Sequence, residues 1–263
     1  MKEIRLTLVQ MNSRAGDPDG NLERMAGFVE DNSDSDIICF PEICLSGYTT
    51  DDPGRFALAP DDSFVLKVHE LAENSGTAIV FGYLEIDGDS VCMRQEIADG
   101  SGTAKYYRKS HLGAMESKVF KAGDDLPIFD IKGVKTGLQL CIESHIQDIS
   151  ASLRSKGAEL ILMPFANGIT GERRRSSWYT YLPARASDNG LFVACCSAIG
   201  DNGYGAQFGG GIIAFDPKGN TIAEYYGTDP HPITLEIGGK LPRDGPETMS
   251  NISYYDRRRP ELY

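Results

Sequence analysis

The sequence predicts a layered α/β protein built as a single domain over residues 1–263. Three observations carry that reading. Short β-rich runs alternate with amphipathic stretches along the whole chain, which is how helices packed on sheets are written. Some of the strand runs, such as DIICF (36–40), are apolar at every position after their first residue, as strands covered on both faces are. No linker, composition shift or internal repeat divides the 263 residues, although a rule of about 150 residues per domain would allow two.

Each element has its own local reason. IRLTLVQM (4–11) is a strand. Pro18 opens a helix whose apolar residues Leu22, Met25, Ala26 and Val29 fall at i, i+3, i+4 and i+7. DIICF ends as a strand at Pro41, and a helix near 62–75 gathers Phe64, Val65, Val68, Leu71 and Ala72 on one face. TAIVFGYLEI (77–86), SVCMRQEIA (90–98) and TAKYYRK (103–109) are three strands joined by Gly and Asp turns. LPIFDI (126–131) and KTGLQLC (135–141) follow, then a helix near 146–156 and the strand AELILMPFA (158–166). A helix near 174–188 leads to LFVACCSAI (191–199). GGIIAFD, TIAEYYG and HPITLEI are the last strands, and the tail from Gly238 is rich in Pro and Arg.

The totals exclude several function classes. With 26 basic against 38 acidic residues the net charge is −12. Nucleic-acid and membrane-surface binders need a basic face, so neither partner is expected. No run approaches the ~20 apolar residues of a membrane span, and the N-terminus has no signal-peptide pattern. Six cysteines without a CxxC pair are not a disulfide framework, and a reducing cytoplasm is the expected location. Metal ligation is not indicated: Glu143-Ser144-His145 has no second ligand pair and HExxH is absent. DPDGNLE (17–23) lacks the glycine and terminal glutamate of a calcium loop, and the glycine-dense 200–211 lacks a phosphate-loop ending. Arg173-Arg174-Arg175 reads as a solvated helix face, with a substrate carboxylate as its sharper alternative.

The chemistry sits at three strand ends. DIICFPE delivers Glu42, TAKYYRK delivers Lys109 and KTGLQLC delivers Cys141. Brought to one sheet edge, they would supply a base, a cation and a nucleophile. A free thiol with a pKa of ~8.5 is mostly protonated at neutral pH, so a base must take its proton during attack. His145, four residues beyond Cys141, is one candidate. Glu42 is the other if burial lifts its pKa, a lift that a nearby Lys109 would oppose.

Six stretches in order, FPEICLSGY (40–48), YYRKSHLGAMESKVFKAGD (106–124), GLQLCIES (137–144), GAELILMPFA (157–166), WYTYLPARASDNG (178–190) and FGGGIIAFDPKGNTIAE (208–224), resemble the nitrilase superfamily of carbon–nitrogen hydrolases. The resemblance implies a four-layer α-β-β-α sandwich of two mixed sheets flanked by helices. It implies that Cys141 is the nucleophile, Glu42 the general base and acid, and Lys109 the oxyanion stabiliser helped by the backbone N–H of Ile142. Glu116 matches the second glutamate, and His145 becomes a bystander. Tyr48, Glu143, Phe165 and Asn167 are the candidates for substrate contact. No cofactor or metal is implied. A homodimer or higher homo-oligomer is expected, with the tail 238–263 in subunit contacts. The chain departs from the family in Ile142, where an aromatic residue is common, and in a short Lys109–Glu116 gap.

The expected activity is a thiol amidohydrolase acting on a small linear carboxamide or N-carbamoyl compound. Nitrile hydrolysis by the same thiol, or a non-catalytic binding protein of the same fold, are the alternatives.

Overall fold

In the computed structural model, residues 1–245, 248 and 252–262 are described. The chain runs β1 (Ile4–Gln10), α1 (Pro18–Asp31), β2 (Ile37–Cys39), α2 (Ser63–Ser75), β3 (Ala78–Asp87), β4 (Ser90–Ala98), β5 (Lys105–Arg108), β6 (Ile128–Ile131) and β7 (Val134–Leu138). It continues through α3 (Gln147–Ser155), β8 (Leu160–Phe165), α4 (Gly171–Asn189), β9 (Phe192–Ser197), β10 (Ile199–Asp201), β11 (Gln207–Gly209), β12 (Ile212–Phe215), β13 (Thr221–Tyr225) and β14 (His231–Ile237). The first two helices begin where a side chain can satisfy one of their first N–H groups. Asp17 accepts from Gly20 ahead of α1, and Asp62 accepts from Phe64 ahead of α2.

Side-chain parity along the strands dictates the layers. Successive strand residues point to opposite faces. Leu6, Leu8, Ile37, Cys39, Ala78 and Val80 share one apolar cluster with Leu160, Leu162, Ala194, Cys196, Ile212 and Ala214. The intervening residues face outward: Val9, Ile38, Ile79 and Phe81 pack against Met25 and Val29 of α1 and Val65 and Val68 of α2. On the other side Ile161, Met163, Val193, Cys195 and Ile213 pack against Ile149 and Leu153 of α3 and Trp178 and Leu182 of α4. Two sheets therefore meet face to face and each is covered by a helix pair. This is the four-layer sandwich that the resemblance implied, and it accounts for the apolar runs without polar alternation.

Among the described residues each main sheet has six strands, ordered β14-β1-β2-β3-β4-β5 and β13-β12-β9-β8-β7-β6. Each has three adjacent parallel strands at its heart, β1-β2-β3 and β7-β8-β9, flanked by antiparallel neighbours. Pro232, which lacks an N–H, stands opposite Val9 on the edge strand β14, where proline is tolerated. β10 and β11 form a separate hairpin.

Two boundaries differ from expectation by three residues. The strand expected to reach Cys141 ends at Leu138, although the Gln139 N–H still reaches the Leu162 carbonyl of β8 and Leu140 stays extended before the turn at Cys141. The helix expected from 174 begins at Gly171, so the three arginines lie in its first turns, and Arg174 is buried rather than solvated. Periodicity missed this because an arginine on the inner face does not register as apolar. Within the tail 238–263, residues 246, 247, 249–251 and 263 lie outside the described residues, while Asp256 pairs with Arg154 of α3.

Leu162 is fully buried between the sheets. Leu162→Ala is expected to lower unfolding free energy by about 2–5 kcal/mol, read from urea unfolding, because the close-packed inter-sheet layer cannot collapse around the lost atoms.

Candidate active site

Glu42 and Cys141 follow the carboxyl ends of β2 and β7 in the two parallel cores, and Lys109 follows the antiparallel edge strand β5; strand ends are where α/β sheets commonly build sites. Beyond β2 the chain stays hydrogen-bonded to β3 through Phe40 N–H to the Val80 carbonyl, at 2.8 Å. It then turns sharply, with Ile43 at φ 53°, and this turn places Glu42 inward at 1% exposure. Gly82 of β3 makes the approach possible: a Cβ there would stand 2.6 Å from the Ile43 nitrogen. Lys109 follows β5 and remains paired through its N–H to the Met93 carbonyl at 2.9 Å. Its side chain is fully buried, and Nζ donates to Glu42 Oε1 and to Glu116 Oε1, both at 2.8 Å. Glu116 stands at the start of a short 3-10 turn, Glu116–Lys118. Its other oxygen accepts from Gly113 N–H at 2.6 Å, and Tyr48 Oη donates to Oε1 at 3.2 Å.

Cys141 opens the 3-10 turn Cys141–His145 with φ 43°, a left-handed conformation that a non-glycine residue holds only under constraint. Asn167, just past β8, donates through Nδ2 to Cys141 Sγ at 3.5 Å. The Asn167 amide is itself oriented by Arg174 Nη2, which donates to its Oδ1 at 2.6 Å. Arg174 also donates to the Gly210 carbonyl and lies over the Trp178 ring, so α4 supports the Asn167 amide that bonds the Cys141 thiol.

The charges are tuned by burial and by one another. Burial pushes the Glu42 carboxyl up to about 7, against the downward pull of Lys109. Burial likewise raises the Cys141 thiol to about 11, with Glu42 adding to the rise and Lys109 opposing it. For Lys109, burial disfavours the ammonium, but Glu42, Cys141 and Glu116 outweigh it and hold the group charged. The site thus holds a protonated thiol, a carboxylate able to exchange a proton near neutrality and a permanent cation. Glu42 Oε2 is buried and has no hydrogen-bond partner among the described residues.

The structure brings Glu42, Lys109, Glu116, Tyr48, Asn167 and Cys141 into one cluster. Ile142 lies on the same turn with its side chain 40% exposed. Phe165 is not in the cluster: it points to the outer core and packs on Trp178, ring centroids 5.1 Å apart. Glu143 is fully buried, with its oxygens taken by protein donors rather than open to a ligand. The His145 ring lies on Tyr181, centroids 4.0 Å apart, and burial and Arg185 lower its pKa. Arg174 went unrecognised as a support of the site, because no local pattern marks a basic residue as inward-facing. Among the described residues, no group of three or more His, Cys, Asp or Glu could hold a metal ion, and no helix is long and apolar enough to cross a membrane.

Glu42, Lys109 and Cys141 thus gather at strand ends of an α-β-β-α sandwich. The sequence profile described as Carbon-nitrogen hydrolase matches residues 5–235, and the chain belongs to that family as an amidase-like member of the nitrilase superfamily. It is 32% identical over 270 residues to a Pseudomonas protegens protein described as "Hydrolase in pqqF 5'region", covering 100% of this chain and 92% of that one. It is 27% identical to the 2-oxoglutaramate amidase of Bacillus subtilis, over 98% of both chains. In fold it resembles an amidase from Nesterenkonia sp. AN1 solved in complex with butyramide, with a TM-score of 0.82, 23% identity and coverage of 98% of this chain and 95% of that chain.

Two outcomes are expected. Lys109→Met removes the cation shared by two buried carboxylates, so it should cost about 3–5 kcal/mol of unfolding free energy at about pH 8. The loss should shrink at lower pH as Glu42 protonates, and parallel urea titrations read both values. In wild type, kcat/KM should rise as pH increases through about 7, because Glu42 accepts a proton only when ionised. A pH–rate profile with its acidic limb near the ordinary glutamate value of ~4.3 would contradict that assignment.

Proposed function

We propose that the protein is a thiol amidohydrolase that converts a small linear carboxamide to a carboxylate and ammonia through a thioester on Cys141. The observation that carries this reading is the buried Lys109 held by Glu42 and Glu116, with the Cys141 thiol within their electrostatic reach. Such an arrangement is costly to bury unless its charges are used or fully paired.

The reaction follows from the proton inventory. Sγ attacks the amide carbon while its proton passes to Glu42. The carbonyl oxygen becomes an oxyanion facing Lys109 Nζ and the backbone N–H of Ile142, donors in place before the charge develops. The C–N bond breaks as Glu42 returns the proton to nitrogen, and ammonia leaves. Water then attacks the thioester, Glu42 takes its proton, and the thiol is restored as the carboxylate departs. Glu116 anchors Lys109 from its far side. Tyr48 and Asn167 stand beside the reacting atoms as candidate substrate contacts. The positions of Phe165 and Glu143 do not favour such a role for them. An N-carbamoyl substrate would follow the same course through a carbamoyl thioester to amine, ammonia and CO₂.

The second reading is nitrile hydrolysis, since the same thiol adds to a nitrile carbon. It draws on a relative described as "Nitrilase" in Pyrococcus abyssi, 26% identical over 97% of both chains. The homo-oligomer expected from the resemblance is likewise a proposal.

Ammonia release is the deciding measurement, across butyramide, 2-oxoglutaramate, N-carbamoyl amines and the nitrile matching each amide. Wild type should release ammonia from at least one carboxamide, and Cys141→Ala should lower kcat at least about 10⁴-fold, the scale of losing a covalent nucleophile. Turnover that survives Cys141→Ala would overturn the mechanism. Turnover confined to nitriles would favour the second reading.

A further inference from the structure

Glu143 is the one carboxylate beside the nucleophile whose chemistry the reaction does not use. It is fully buried, yet among the described residues it is bound by neutral donors, His111 being a potential cation only at 3.8 Å. Those donors come from two places. Oε2 accepts the Leu140 N–H at 2.7 Å, on the residue just before Cys141. Oε1 accepts from Tyr107 Oη at 2.5 Å and from Ser110 N, Ser110 Oγ and His111 N, each at 2.9 Å. Residues 107–111 form the end of β5 and the turn that carries Lys109 in the first sheet. Leu140 and Cys141 follow β7 of the second.

We infer that Glu143 is a positioning residue that locks the Cys141 turn to the Lys109 segment and so sets the nucleophile against the cation. This inference rests on the reading of Cys141 and Lys109 as partners in one site. Three physical points support it. A carboxylate is acceptor-only, and all five groups aimed at Glu143 are N–H or O–H groups able to donate, so the site selects a carboxylate over an amide. Hydrogen bonds to a charged group are stronger than those between neutral groups, and several together can hold a backbone conformation that a residue would otherwise avoid. The Glu143 backbone closes the same turn from inside: its N–H donates to the Leu140 carbonyl at 2.9 Å, and its carbonyl accepts from Gln139 Nε2 at 2.7 Å. Left-handed Cys141 is therefore enclosed between a main-chain and a side-chain clamp from one residue.

The test uses the full chain with Glu143→Gln, which sets an amide NH₂ against existing donors, and with Tyr107→Phe, which removes only a hydroxyl on the Lys109 side. Circular dichroism and thermal melting establish that each variant is folded. Two readouts follow: the rate of Cys141 alkylation by iodoacetamide, timed by intact mass, and kcat and KM for the best amide of the panel. Glu143→Gln should slow alkylation at least tenfold and lower kcat about a hundredfold, with KM within about threefold; Tyr107→Phe should lower kcat about tenfold. Because their effects act through one clamp, the double variant should lose much less than the product of the single losses.

If folded Glu143→Gln and Tyr107→Phe both keep alkylation and kcat within twofold while only their melting temperatures fall, Glu143 supports stability alone and the inference is overturned. If Glu143→Gln does not fold, Tyr107→Phe decides by the same criteria. A wild-type protein that releases no ammonia from any amide would remove the amidohydrolase reading. The alkylation rates of the variants relative to wild type would still decide the role of Glu143.

Discussion

The fold can hold this site only because one ammonium group satisfies two carboxylates away from water. Lys109, Glu42 and Glu116 are each 7% exposed or less. Removing an ion of this size from water costs several kcal/mol even after the protein relaxes, and only close pairing with further hydrogen bonds offsets it. The surroundings meet that condition. Glu116 is held by Gly113 and Tyr48, and Lys109 by its backbone bond to β4. Glu42 keeps one oxygen outside the pairing. Burial raises its proton affinity while Lys109 pulls the other way, so the same balance that makes the cluster tolerable also makes Glu42 responsive near neutral pH.

The two sheets repeat one plan. Each has a parallel core, β1-β2-β3 or β7-β8-β9, with antiparallel strands outside it. Glu42 lies just beyond the middle parallel strand of the first sheet, and Asn167 just beyond the middle parallel strand of the second. Glu42 and the side chain hydrogen-bonded to the Cys141 thiol thus occupy corresponding places in the two halves. No sequence repeat betrays this, because the shared feature is strand order and direction rather than residue identity.

Most strands and all four helices among the described residues were legible in the sequence, since double-sided burial leaves long apolar runs and amphipathic helices leave a 3.6-residue period. Glu42, Lys109 and Cys141 were legible as strand-end residues within familiar flanks. Their convergence was not, because register and sheet order decide it. Arg174 was misread as solvated: its cover comes from Trp178 and Phe165 together with the distant Gly210 carbonyl, and no local window contains all three. Glu143 and Phe165 were also expected at the substrate. Glu143 sits under the Cys141 turn, and Phe165 faces the outer core with Ile161 and Met163, whose strand parity it shares.

The face-to-face meeting of the sheets has a consequence for heat inactivation. The segments carrying Glu42 and Cys141 lie on opposite sides of a hydrocarbon slab about 10 Å thick, the usual spacing of packed sheets. Its thickness therefore bears on how the two residues stand to one another, and side chains far from them, such as Leu6 or Ala194, fill it. Warming that loosens this slab by a fraction of an ångström would misalign the two halves of the machine while every strand is still in place.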